Sequence, residues 1–317
     1  MKLGNLPWDK EILRKNYFRN FTKTREAIKC HPGYEIFNDL EAIKLSLNIF
    51  NDSISDLLSS ISKFKAESAS PDFWNRPQRP FVERLELSIQ RGVFSSAMSA
   101  MALVDHSRKF SKKHTIPDYD NQISKFFINN EEHRFIHSLR TYITHVRVTE
   151  ANWQISHSKE GRLVQFLLSK EDLLKYKKWK SLAKKFIRHS SDGIIVEAVF
   201  EKYAIKVKEF HCWLHDAIIQ KYSKDISDYL KYKKILDQFD SYSHWSVLIQ
   251  QGLFPKKLNP YLYLNRYLTP QEMKDVLTLP HRSKQQVDKI IQFVDEYNVC
   301  DMKLRRLIYQ LFEVKKT

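Results

Sequence analysis

From Leu40 to Ile61 the apolar residues fall at alternating spacings of three and four: Leu40, Ile43, Leu47, Phe50, Ile54, Leu57 and Ile61. Residues spaced this way lie above one another on one face of an α-helix, whereas a strand would divide them between its two faces. A helix of this length gains little from propensity alone and must bury its stripe against other helices. A second stripe meets that need: Val82, Leu85, Ile89, Val93, Ala97, Met101 and Val104, preceded by Pro80, a residue suited to a first helical turn. The two stripes predict a mainly all-α fold, a bundle of long helices. With six glycines in 317 residues, the chain is also poor in the tight turns that a barrel or sandwich requires.

The remaining punctuation divides the chain further. A first helix is expected after Pro7 and Asp9, ending where His31-Pro32-Gly33 interrupts it. Pro71, Pro77 and Pro80 mark a loop, the cationic run from Arg108 to His114 reads as a basic linker, and Pro117 to Asn121 as a turn. Asn130, followed by Glu131 and Glu132, is a helix N-cap with acids in the first turn. That helix turns Ile136, Leu139, Ile143 and Val146 inward, and His133, His137, Thr141 and Thr144 outward. The period then changes, and residues 152–156 and 162–168 read as a β-hairpin around Lys159-Glu160-Gly161. Ser169 and Asp172 open another helix carrying Leu174, Leu182, Phe186 and Ile187 beside Trp179, and a long helix from Val196 to Leu214 follows. Beyond about Ser223 the segments shorten between Pro255, Pro260, Pro270 and Pro280, and Thr269-Pro270-Gln271-Glu272 is a helix start. The expected organisation is a helical bundle over 1–235, with its hairpin near 152–168, and a helical C-terminal appendage over 236–317.

The formal net charge is +16, which points to a polyanionic partner, either nucleic acid or an acidic membrane surface; with the pattern below the expectation is RNA. Cys30, Cys212 and Cys300 are odd in number and far apart, which fits a reducing cytoplasmic setting better than a disulfide framework. No apolar run reaches the roughly 18 residues of a membrane span, and residues 1–8 contain no signal-peptide core, so no membrane partner is expected. Phosphate-binding glycine loops and nucleophile-elbow motifs are absent, which leaves nucleotide hydrolysis and triad hydrolysis without sequence support.

The chemistry-bearing stretch is Leu139-Arg140-Thr141-Tyr142-Ile143-Thr144-His145. Arginine is a permanent cation suited to phosphate, and histidine moves protons near neutral pH. Together they suffice to cut RNA with no metal or other cofactor: a histidine takes the 2′-hydroxyl proton, the oxygen attacks phosphorus, and arginine offsets the charge that develops. Five residues apart, the two side chains diverge by about 140° on one straight helix. A joint site therefore needs unwinding at His145 or a second copy of the helix in a twofold homodimer. Arg25 with His31 and Arg108 with His114 have comparable spacing.

This segment, late in a helical bundle, resembles the R-x4–6-H motif of the HEPN superfamily. The hairpin after it, Leu173-Leu174, Trp179, and Phe210-His211-Cys212-Trp213-Leu214 are similar to HEPN-like bacterial proteins in the same order, over about residues 36 to 222. The resemblance implies an all-helical, dimeric, metal-independent endoribonuclease with Arg140 and His145 as its catalytic pair. It also implies a toxin–antitoxin or phage-defence setting, with an antitoxin or regulatory protein as a further partner. One departure is Thr141, where active members most often carry Asn, Asp or His. The alternative is a catalytically inactive helical scaffold that binds RNA or another protein.

Thr141, Thr144 and His137 are candidate substrate-lining residues. Lys177, Lys178, Lys184 and Lys185, from the basic run Lys170 to Arg188, are candidate phosphate contacts that steer without reading sequence. His211 and His215, one helical turn apart beside Cys212, have zinc-compatible spacing, as do His133 and His137. The aromatic residues around the first pair favour a packed helix end, and no metal site is assigned.

Overall fold

The computed structural model describes residues 3, 6–145, 151–158, 161–256 and 258–315. The fold is mainly α, with one small antiparallel sheet. It divides into two compact units, Glu35–Ser223 and Met1–Tyr34 together with Lys224–Thr317. The boundary thus falls near 223 rather than 235, and the first 34 residues, whose expected single helix is two, α1 (Lys10–Arg19) and α2 (Phe21–Ala27), group with the tail.

In the unit spanning 35–223, most of α3 (Pro32–Glu67) and all of α4 (Arg79–Lys113) carry the two stripes. Phe50, Leu57 and Ile61 are fully buried on α3, and Phe64 extends the row by another turn. On α4, Leu85, Ile89, Val93, Ala97 and Met101 are buried. The helices approach closely at Gly92, where a Cβ would lie 2.9 Å from a Leu57 methyl and 3.0 Å from its Cα. Ser96 Oγ donates to the Ser53 carbonyl at 3.2 Å, and the Ser60 and Ser88 hydroxyls meet at 2.8 Å. The cationic stretch expected to be a linker is instead the end of α4, which runs to Lys113 because Ser107 and Phe110 remain on its buried face. Its last turns are tied down by Lys113, which bonds Asp39 at 3.0 Å. After α5 (Tyr119–Ile123) and a π-helical turn, Asn130 caps α6 (Glu131–His145), its Oδ1 accepting the His133 amide at 2.9 Å.

The hairpin forms as β1 (Ala151–Ser158) and β2 (Gly161–Ser169), with Trp153 paired to Phe166 and Ile155 to Val164. The expected turn residues Lys159 and Glu160, like Val146, lie outside the described residues. Val164, Phe166 and Leu168 alternate into the core, and the Phe166 ring meets Phe64 edge-on at 4.9 Å. A third strand, β3 (Gly193–Ile195), adds to β2, and a Cβ at Gly193 would sit 2.4 Å from the Leu168 carbonyl oxygen. Three residues are too short to leave an alternating pattern, so this strand is not legible from periodicity.

The single helix expected over 170–188 is two, α7 (Lys170–Lys175) and α8 (Ser181–His189), separated by an extended turn. The break serves Trp179: its indole N–H donates to the Leu173 carbonyl at 2.5 Å, and its ring stacks on Phe135 and Tyr142 of α6. An unbroken helix would direct Trp179 by its 100° step instead of into that slot.

α9 (Val196–Val247) continues well past Leu214, and its residues divide between the two units. In the other unit, Ile226, Tyr229, Tyr232, Leu236 and Phe239 form its buried face. Trp8 and His31 pack on Tyr232, and Arg25 bridges Asp237 and Asp240, to which Tyr17 also donates. His31-Pro32-Gly33 ends the first helical region and also opens α3, since a Cβ at Gly33 would fall 1.9 Å from the Asp225 carbonyl oxygen. The tail helices α10 (Pro270–Leu277), α11 (Lys284–Val294) and α12 (Met302–Leu311) enclose Val276, Val287, Ile290, Leu304 and Ile308. The Thr269–Glu272 capping box forms in full. Among the described residues no helix is long and apolar enough to cross a membrane.

Gly92→Val should destabilise the protein by about 1–3 kcal/mol through overpacking against Leu57, seen as a lower urea midpoint with an unchanged slope.

Candidate functional site

α6 presents the Arg140–His145 segment, and its packing decides what each side chain can reach. Phe135, Ile136, Leu139, Tyr142 and Ile143 are buried against α4 and α8. Trp179 stacks on Tyr142 with ring centres 5.4 Å apart and on Phe135 at 5.8 Å, and Tyr176 and Phe186 close the cluster. The buried face is therefore wider than the aliphatic stripe predicted.

His133, expected to point outward, is buried, with Nδ1 3.2 Å from the Tyr203 hydroxyl. Burial, reinforced by His137 and nearby cations, pushes its pKa down to about 3. His137 is half-buried, and burial followed by the charges of Lys180 and Arg108 holds it below the ordinary histidine value. The physical reason is geometric: α4 and α9 cover the side of α6 that the helical projection assigns to solvent.

Arg140 is half-buried and its Nε is shielded from solvent, without a hydrogen-bond partner among the described residues. Its carbonyl accepts from Thr144 Oγ1 at 2.7 Å, a back-bond that also engages the Thr141 carbonyl at 3.3 Å. Thr141 is half-buried, and Thr144 and His145 are exposed. His145 is the last residue of α6 and forms no hydrogen bond or ion pair among the described residues. The helix is regular through His145, so the two side chains diverge by about 140° and do not converge within one chain.

The four lysines separate as well. Lys177 and Lys178 are exposed in the turn between α7 and α8, beside the Trp179 slot. Lys184 is half-buried on α8, and Lys185 pairs with Glu131 at 2.7 Å, so its charge is already partnered. Lys180, part of the same basic run but not assigned as a contact from the sequence, helps hold His137 in its neutral form.

The zinc-spaced pair does not form a common site. His211 is buried, and burial lowers its pKa to about 4, whereas His215 is exposed and meets Asp216 at 3.4 Å. Among the described residues no group of three or more His, Cys, Asp or Glu side chains could hold a metal ion. His133 and His211 instead line an internal cavity of about 50 Å³ with Tyr119 and Tyr203. That is far below the roughly 300–1,000 Å³ of a small-molecule pocket.

No protein-family model matches the chain, and no curated protein or solved structure matches it at a significant level.

The two buried histidines set an acid limit on stability. Each titrates near 6.5 when unfolded but only at about 3 (His133) or about 4 (His211) when folded. Between those values the unfolded chain binds more protons, so stability is retained above about 6.5 and lost as pH falls. Each histidine contributes a slope of up to about 1.4 kcal/mol per pH unit. Urea unfolding across this range should show that loss, and His211→Leu should remove one proton's share of the slope; an unchanged slope would contradict the assignment.

Proposed function

We propose that the chain is a metal-independent endoribonuclease of HEPN type acting as a homodimer, with Arg140 and His145 as the catalytic pair. The observation that carries this reading is the contrast among the three arginine–histidine pairs of similar spacing. Arg25 is held by Asp237 and Asp240, and His31 is buried, accepting the Gly33 amide. His114 bonds Asp39 at 3.0 Å, and Arg108 lies 3.9 Å from Asp105. Arg140 and His145 alone of the six have no ion pair or side-chain hydrogen bond among the described residues, and Arg140 retains a shielded donor. A shielded, unpaired cationic donor is costly unless it has a function, and a phosphate oxygen is a fitting acceptor. The compact unit Glu35–Ser223 also coincides closely with the 36–222 span of the resemblance.

In this mechanism His145 removes the ribose 2′-hydroxyl proton, and the oxygen attacks the adjacent phosphorus. The bond from phosphorus to the 5′-oxygen breaks, and the leaving oxygen takes a proton from the partner's imidazolium. Arg140 stabilises the phosphoryl oxygens as charge builds. A second copy supplies the geometry that one helix lacks. His137, Thr141, Thr144 and the exposed Lys177 and Lys178 are the groups nearest in role to substrate binding, and RNA is the substrate class that suits a net charge of +16. A toxin or phage-defence role, with an antitoxin or regulatory partner, follows from the same resemblance. The divergence of the pair and the presence of Thr141 favour the second reading, an inactive RNA-binding or protein-interaction scaffold.

Purified protein incubated with total RNA in EDTA should leave 2′,3′-cyclic phosphate ends. Arg140→Ala and His145→Ala should each reduce cleavage by about a hundredfold or more while the fold persists. A requirement for a divalent ion would overturn the mechanism. Salt-sensitive RNA binding without cleavage, indifferent to His145→Ala, would identify the scaffold.

A further inference from the structure

The unit formed by 1–34 and 224–317 carries an apolar groove of about 460 Å³, separate in sequence from the arginine–histidine helix. Ile249, Ile290 and Ile308 form its buried floor, and Trp245, Leu248 and Leu253 its half-exposed walls. One wall is π-helical over Leu248–Leu253, with the Phe254 amide reaching back to the Ile249 carbonyl at 3.1 Å. Such widened turns cost helix geometry and recur at functional sites.

The rim is electrostatically one-sided. Arg266 lies over the Tyr263 ring at 5.1 Å, with His244 and Tyr267 also at the groove. No aspartate or glutamate lines the groove, and Arg266 has no ion pair among the described residues. An apolar floor of ligand-pocket size beside one unpartnered cation matches a molecule with a hydrocarbon body and an anionic head. A cationic head meets no carboxylate in this lining and is repelled by Arg266.

We infer that the groove binds a free long-chain carboxylate, with the acyl chain along Ile249, Ile290 and Ile308 and the carboxylate on Arg266. The site belongs to the C-terminal unit and does not depend on the ribonuclease reading.

The test is titration of the full-length protein with dodecanoate below its micellar concentration, followed by calorimetry, with the summed tryptophan fluorescence as a second readout. Dodecyltrimethylammonium serves as the cationic counterpart of equal chain length. Saturable one-to-one binding of dodecanoate is expected, with dodecyltrimethylammonium at least about tenfold weaker. Leu253→Trp, which fills the groove, and Arg266→Glu, at an exposed position, should each weaken dodecanoate by about tenfold or more. Absence of saturable binding, equal binding of the two amphiphiles, or undiminished binding by both variants would overturn the inference. So would concentration-dependent dimerisation that Leu253→Trp abolishes and dodecanoate does not affect, since a second copy would then be the occupant.

Discussion

The placement of α6 depends on one aromatic insertion. Trp179 enters between Phe135 and Tyr142, and its indole N–H is satisfied by the Leu173 carbonyl. A buried tryptophan combines a large apolar area with one polar atom that must find a partner. Both needs are met only because the chain breaks between α7 and α8. That break fixes the short helix α8 against α6, places Lys177 and Lys178 in an exposed turn, and brings Lys185 to Glu131. This packing leaves Thr144 and His145 exposed at the end of α6 and Arg140 and Thr141 half-covered.

The same packing sorts the histidines into two kinds. His133 and His211 lie inside, and burial disfavours their charged forms across the physiological range. Such groups are poor proton shuttles near neutrality but effective packing elements, and they make the fold easier to unfold at low pH, where the unfolded chain can protonate them. His145 lies at the opposite extreme, at an exposed helix end. Between them His137 is half-covered, and burial with the charges of Lys180 and Arg108 favours its neutral, hydrogen-bonding form. Charge, burial and helix position therefore give chemically similar side chains different work.

Much of the framework was legible in the residues. The stripes of α3 and α4, the caps at Asn130, Ser169 and Thr269, and the hairpin all depend on interactions within a few positions. Less legible were features set by partners distant in sequence. The end of α4 looked like a linker because its charges are obvious and its buried Ser107 and Phe110 are not. α9 ran past the expected boundary because Tyr229 and Tyr232, ambiguous in hydropathy, serve as core. For the candidate site, the motif was readable, but the burial of His133 was not, because its cause is Tyr203, seventy positions away on α9.

By itself, the sequence determined the class of fold, the period of the main helices, the position of the hairpin and the location of the arginine–histidine segment. These follow from spacing and capping, which act over one or two helical turns. Tertiary structure alone decided where α7 ends, that β3 joins β2, which histidines lose water, and that Lys185 is paired while Arg140 has no ion pair among the described residues. Each of these turns on desolvation or on a partner remote along the chain, and local periodicity carries no information about either.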